Sequence, residues 1–394
     1  MTLAARKAFD EAVRLEQSGD MDKALVSYLK AQELAPNDTE IAYRAASALL
    51  QSGHAEEAQS QLRRIVFTEP DHLRARASLG NCQLLLGDTA NAKQNFTDVL
   101  ELEPENRNAL YGLASVLLKE GKAAEASGPA KRLLDLLPDS AATLTVFAET
   151  QSKTNQYSTA IAAYRRALKI ASNHVPAMVG LSEVLLRRSR FDEVVELTVR
   201  TNQLVPNDPL PLVILSDALA GKGALDDAYE AAQEALKCDR RSTAVLVRLS
   251  VLSRKLGNAG QAMMFALDAH DLDAQAQGPL NALGATLAAG KFANQARSVL
   301  TALSSGKGLD PEVRQFIEDL IQNDAEDEVS GSAFPEPSGA EKASDQPTPE
   351  PAVTRADTET GDDRRAESVS GLLPGDHEPL PNVLGLRRQD RSSS

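Results

Sequence analysis

Five histidines, two cysteines and one Ser-Gly-Lys-Gly run are the residues of this sequence whose types could do metal, nucleophilic or phosphate chemistry. Zinc-type sites need His and Cys ligands that converge at short spacings. Here His54, His72, His174, His270 and His377 are scattered, the first four at or near turn signals or helix ends. They are expected to be solvated surface residues. Cys82 and Cys238 stand alone, without metal spacing or a disulfide framework. Their apolar helical surroundings predict two small buried hydrophobes. Ser305-Gly-Lys-Gly308 lacks the full Gly-x-x-x-x-Gly-Lys-Ser/Thr frame, and no strand pattern precedes it. No Gly-x-Ser-x-Gly elbow or kinase motif set is found. Acidic residues are abundant but are expected on the surface. The reading is therefore of a chain that is not an enzyme and uses no cofactor and no metal.

The elements that carry these residues are helical. Ala and Leu dominate the apolar content, aromatics are 4%, there is no Trp, and strand-like β-branched runs are scarce. The 394 residues carry a formal net charge of −14. That sign argues against nucleic acid, whose phosphates call for a basic face. No stretch approaches the roughly 20 apolar residues of a membrane helix. Met1 to Asp10 is amphipathic and charged, without the apolar core of a secretory signal, which predicts a cytoplasmic protein.

Self-similarity at 34 residues organises the chain. Nine units begin at Ala5, Thr39, Leu73, Arg107, Ala141, Val175, Pro209, Thr243 and Gln277, with no insertion between them. Position 8 of each unit is Ala, Gly or Ser, and position 20 is Ala in eight units and Val194 in the sixth. Small residues are needed where two helix axes cross closely. Leu or Phe at position 7 and Leu at position 11 lie on the same face. Position 24 carries Tyr28, Leu62, Phe96, Tyr164 and Leu300, which are expected to fill space between helix pairs. Gly at position 15 (Gly19, Gly53, Gly87, Gly121, Gly223, Gly257) ends the first helix. Pro at position 32 (Pro36, Pro70, Pro104, Pro138, Pro206) marks the turn into the next unit. Later units drift, with Arg240 and Ala274 at that position, and Gly128-Pro129 is expected to kink the second helix of unit 4 or fray its first turn.

This pattern resembles the tetratricopeptide repeat family over residues 5–304. The resemblance implies an all-α, right-handed superhelical solenoid whose first helices line a concave groove. It also implies that positions 2, 5, 9, 12 and 13 face that groove. Position 5 gives Phe9, Tyr43, Tyr111, Val179, Val213 and Val247; position 9 gives Asn81, Glu149, Glu183 and Asp217; position 13 gives Gln17, Gln51, Lys119, Lys153, Arg187 and Lys255. Tyr43 and Tyr111 are assigned to the groove because the core positions of their units are already filled. Apolar, acidic and basic rows of this kind suit a peptide or helix with an apolar stripe and mixed charge. The bland alternative for Glu149, Glu183 and Asp217 is a solvated face. The carboxylate-gripping clamp of one subset of the family is absent. No unit has Lys at position 5, and Asn81, the one Asn at position 9, is accompanied by Ala77.

Residues 305–323 are expected to hold a capping helix with an apolar stripe of Phe316, Ile317, Leu320 and Ile321. Residues 324–394 hold 16 acidic and 7 basic residues and eight Pro. Such a composition predicts a disordered acidic tail. Within it, residues 370–388 concentrate Leu372, Leu373, Leu380, Val383, Leu384 and Leu386, the makings of a short linear motif that binds a partner or the chain's own groove. The sequence thus points to a protein–protein interaction scaffold or adaptor. The alternative is a regulatory or assembly subunit of a bacterial biosynthetic or envelope enzyme complex. A helical-repeat RNA binder has the wrong charge sign and period.

Overall fold

The computed structural model describes residues 2–305 and 309–331, in nineteen helices without a strand among them. The first eighteen form nine pairs. These are α1 (Leu3–Gln17) and α2 (Met21–Leu34), α3 (Thr39–Gln51) and α4 (Ala55–Thr68), α5 (Leu73–Leu85) and α6 (Thr89–Leu102), α7 (Arg107–Lys119) and α8 (Ala123–Leu136), and α9 (Ala141–Lys153) and α10 (Tyr157–Ile170). The series continues with α11 (Val175–Arg187) and α12 (Phe191–Leu204), α13 (Pro209–Lys222) and α14 (Leu225–Cys238), α15 (Thr243–Leu256) and α16 (Ala259–Leu272), and α17 (Gln277–Ala289) and α18 (Ala293–Ser305). A last helix, α19, spans Pro311–Gly331.

Several helices start where a side chain accepts an orphan backbone N–H. Asp38, Asn106 and Asp208 cap α3, α7 and α13. His72 does the same for α5, its Nδ1 accepting from the Ala75 N–H at 3.1 Å. Between the helices of every pair the chain turns at position 15 with positive φ. Six units use Gly there, and Asn155, Ser189 and Lys291 adopt the same left-handed backbone at φ 55–68°. Pro129 lies inside α8, and the helix is continuous from Ala123 to Leu136, so its first turn is not frayed.

All nine position-8 residues and all nine position-20 residues are buried. Where position 8 is Ser216 or Ser250, its hydroxyl donates across the crossing to the carbonyl of Ala228 (2.8 Å) or Ala262 (2.6 Å). First helices also touch one another, as in α5 with α7, α9 with α11 and α15 with α17, whereas second helices of neighbouring units diverge. The layer whose members meet is the inner, concave one.

Several expectations need correction. Cys238 is exposed at the end of α14, while Cys82 is buried, and burial pushes its thiol up to about 12. His270 is buried in α16 beside Asp271, not on the surface. Leu300 is 50% exposed. The reason is the seat of α19. It packs chiefly on α16: Arg314 forks onto Asp271 at 2.7 and 2.8 Å, Ile317 is fully buried, and Phe316 meets Phe292 edge-on at 5.3 Å. The outer face of α18 is left open. The helix also runs on to Gly331, eight residues into the stretch expected to be tail. Residues 332–394, including the apolar stretch 370–388, lie outside the described residues.

Candidate protein-binding groove

The inner layer does not expose all the residues that the repeat pattern assigned to it. Tyr43 is 0% and Tyr111 3% exposed, so both are core. The Tyr43 ring sits against His72 (5.1 Å) with the Arg74 guanidinium above it (5.2 Å). Tyr111 packs among Leu110, Ala114, Leu133 and Val146. Asn81 is 2% exposed, and its side-chain oxygen accepts no hydrogen bond from the described residues. Phe9, half-buried, meets Tyr28 edge-on at 5.7 Å.

Farther along, the groove opens. Lys119, Lys153 and Arg187 are exposed at position 13. The Lys119 ammonium donates to the Leu84 carbonyl at 3.2 Å, which ties α7 to the end of α5. Val179 and Val213 are half-buried at position 5. The acidic row is not uniform. Asp217 is occupied, because Arg248 of the next first helix grips both its oxygens at 2.6 and 2.7 Å. Glu149, half-buried, and Glu183, exposed, make no hydrogen bond or ion pair with the described residues. Burial raises the Glu149 carboxyl above its usual range; Lys153 opposes this and Glu183 adds to it.

Two buried tyrosines feel the charge of these acids, Tyr111 that of Glu149 and Tyr164 those of both. Burial, with Glu149 behind it, pushes Tyr111 up to about 12. Tyr164 on α10 is pushed well above the ordinary value by burial, then by Glu149 and Glu183. The repeat pattern assigned Tyr164 to filling space between pairs and missed its polar tip. The available signal was Gly180 at position 6 of the next unit. A methyl group there would lie 2.4 Å from the Tyr164 hydroxyl, so only glycine leaves room for it.

The tetratricopeptide repeat profile matches residues 15–82, and the profile of subunit 3 of the anaphase-promoting complex, cyclosome, matches residues 87–167. The helix pairs keep the same 34-residue register on both sides of the matched stretches. The chain carries tetratricopeptide repeats. The fold of this repeat protein is similar to a chain in the crystal structure of the APC/C hetero-tetramer Cut9–Hcn1. The TM-score is 0.59 at 14% identity, over 68% of this chain and 52% of that one. It therefore spans about half the length of that chain. A tetratricopeptide repeat protein from Parabacteroides merdae matches with a TM-score of 0.51 at 17% identity, over 63% of this chain and 98% of that one. At such identities the likeness is one of fold. No curated protein sequence matches the chain. Among the described residues, no helix is long and apolar enough to cross a membrane, and no group of three or more His, Cys, Asp or Glu could hold a metal ion.

Proposed function

We propose that this repeat protein is an interaction scaffold or adaptor that binds a segment of another protein along the concave face of α7, α9, α11 and α13. The observation that carries this reading is the contrast within one row of acids. Asp217 is neutralised by Arg248, yet Glu149 and Glu183 have no hydrogen bond or ion pair among the described residues, in an inner layer that also carries half-buried Val179 and Val213. A half-buried carboxylate without a partner is unfavourable for folding alone, and groups of that kind gather at functional sites. Lys153 and Arg187 on the rim would set register and association rate more than affinity.

Affinity capture from native lysate tests the reading, comparing wild type with a Glu149→Lys, Glu183→Lys variant whose helicity is checked by circular dichroism. Asp217 is left intact, because a lysine there would confront Arg248. Loss of a captured protein at unchanged helicity is expected; identical captured sets from both proteins would remove the groove as the binding site. Capture of one enzyme at fixed stoichiometry would mark the chain as a subunit, and several weaker partners as an adaptor.

A further inference from the structure

Tyr28 and Tyr164 occupy the same position, the twenty-fourth, in units 1 and 5. The Tyr28 hydroxyl donates to Glu16, at position 12 of its own unit on the inner helix. In unit 5, position 12 is Ser152, and the Tyr164 hydroxyl has no hydrogen-bond partner among the described residues although the residue is 2% exposed. It reaches the inner layer against Gly180, within electrostatic range of both Glu149 and Glu183. Tyr111, equally buried, brings a second hydroxyl without a partner toward Glu149. The set is thus two carboxylates and two neutral hydroxyls, all able to accept, and the cation that acts on Glu149 is the exposed Lys153.

A guanidinium is the complement of such a set. It offers five N–H donors in a rigid fork, has no acceptor of its own and stays charged in a partly dry site. An ammonium has three donors and holds its water more tightly. We propose that the recess formed by Tyr111, Glu149, Tyr164 and Glu183 takes an arginine side chain, and that the arginine belongs to the chain's own segment, residues 380–391.

That segment couples Val383, Leu384 and Leu386 to Arg387, Arg388 and Arg391, inside a tail that is otherwise strongly acidic. Its apolar residues match Val179 and Val213 beside the recess, and its arginines match the carboxylates. Forty-eight residues separate Gly331 from Leu380. A chain of that length has coil dimensions of roughly 40 Å. Four unit steps, from unit 9 back to unit 5, cover a similar distance at about 10 Å each. The inference rests on the groove reading and adds a condition to it: an outside partner must displace the tail.

The test is a titration of a fluorescent peptide, residues 380–391, into the full chain and into the full chain carrying Arg387→Gln, Arg388→Gln and Arg391→Gln. A tethered segment competes at an effective concentration on the order of 0.1–1 mM. The neutralised chain is therefore expected to bind the peptide about tenfold more tightly than the native chain. Adding Glu149→Gln and Glu183→Gln to the neutralised chain should weaken binding at least about tenfold at unchanged helicity. Tyr164→Phe, which keeps the ring against Gly180, should weaken it about threefold. Equal binding to native and neutralised chains would overturn the tail as occupant, and binding indifferent to Glu149→Gln and Glu183→Gln would overturn the recess. If either happens while Glu149→Lys, Glu183→Lys still loses its captured partner, the groove reading stands and only the present inference falls.

Discussion

The carboxyl of Glu149 is held half-buried in α9 with Glu183 beside it, and its folded pKa lies above the usual range. An acid shifted that way opposes folding once ionised. The penalty is absent below the unfolded pKa and fully present above the folded one. Glu149→Gln should therefore raise stability at pH 7.5 and leave it unchanged near pH 3. Urea unfolding at the two pH values checks this. A gain in stability together with a loss of binding is what a functional acid predicts and a solvated one does not. His174 has the opposite sense. It occupies the N-cap position of α11, at the positive end of the helix dipole, without a side-chain capping bond, and burial lowers its pKa. Its stabilising neutral form is fully favoured above the ordinary imidazole pKa and is lost as the pH falls through the lower folded value. His174→Asn, which also supplies a capping oxygen that His174 does not, should narrow the gap between melting temperatures at pH 7.5 and 5.5.

At the scale of the helix pair, much was legible because the constraint is local. Small residues at positions 8 and 20 announce a close crossing, and Gly at position 15 announces a left-handed turn. The turn, however, is demanded by the geometry of the pair and not by its glycine. Asn155, Ser189 and Lys291 adopt it in units that lack one. Ser189→Gly should therefore relieve a conformation costing about 1 kcal/mol for an L-residue, while Gly53→Ala should add a comparable strain, since nothing but backbone conformation opposes a methyl there. Thermal melts of the two variants should move in opposite directions. What could not be read was the depth of the groove. Positions 5 and 9 carry the same label in every unit, yet Tyr43, Asn81 and Tyr111 are buried while Val179 and Glu183 are not. Burial there depends on how closely successive first helices approach. That is set by several units together, through residues such as Ala77 and Gly180, and not by any position taken alone.

Across the whole molecule, each unit is held by its neighbours, so stability should be distributed along the array and not shared by all of it. The C-terminal end is built differently from the rest. There α19 is anchored on α16 while α18 keeps Leu300 exposed. Removing that anchor with Ile317→Ala and Arg314→Ala deletes a fully buried side chain, worth about 2–5 kcal/mol in a core, and a two-pronged ion pair to Asp271. Nearest-neighbour coupling confines the damage. Amide exchange should quicken at least about tenfold in α16 to α18, while α1 to α8 keep their wild-type protection. A uniform loss of protection along all nine pairs would instead mean that the array melts as one cooperative body, with α19 closing it as a whole.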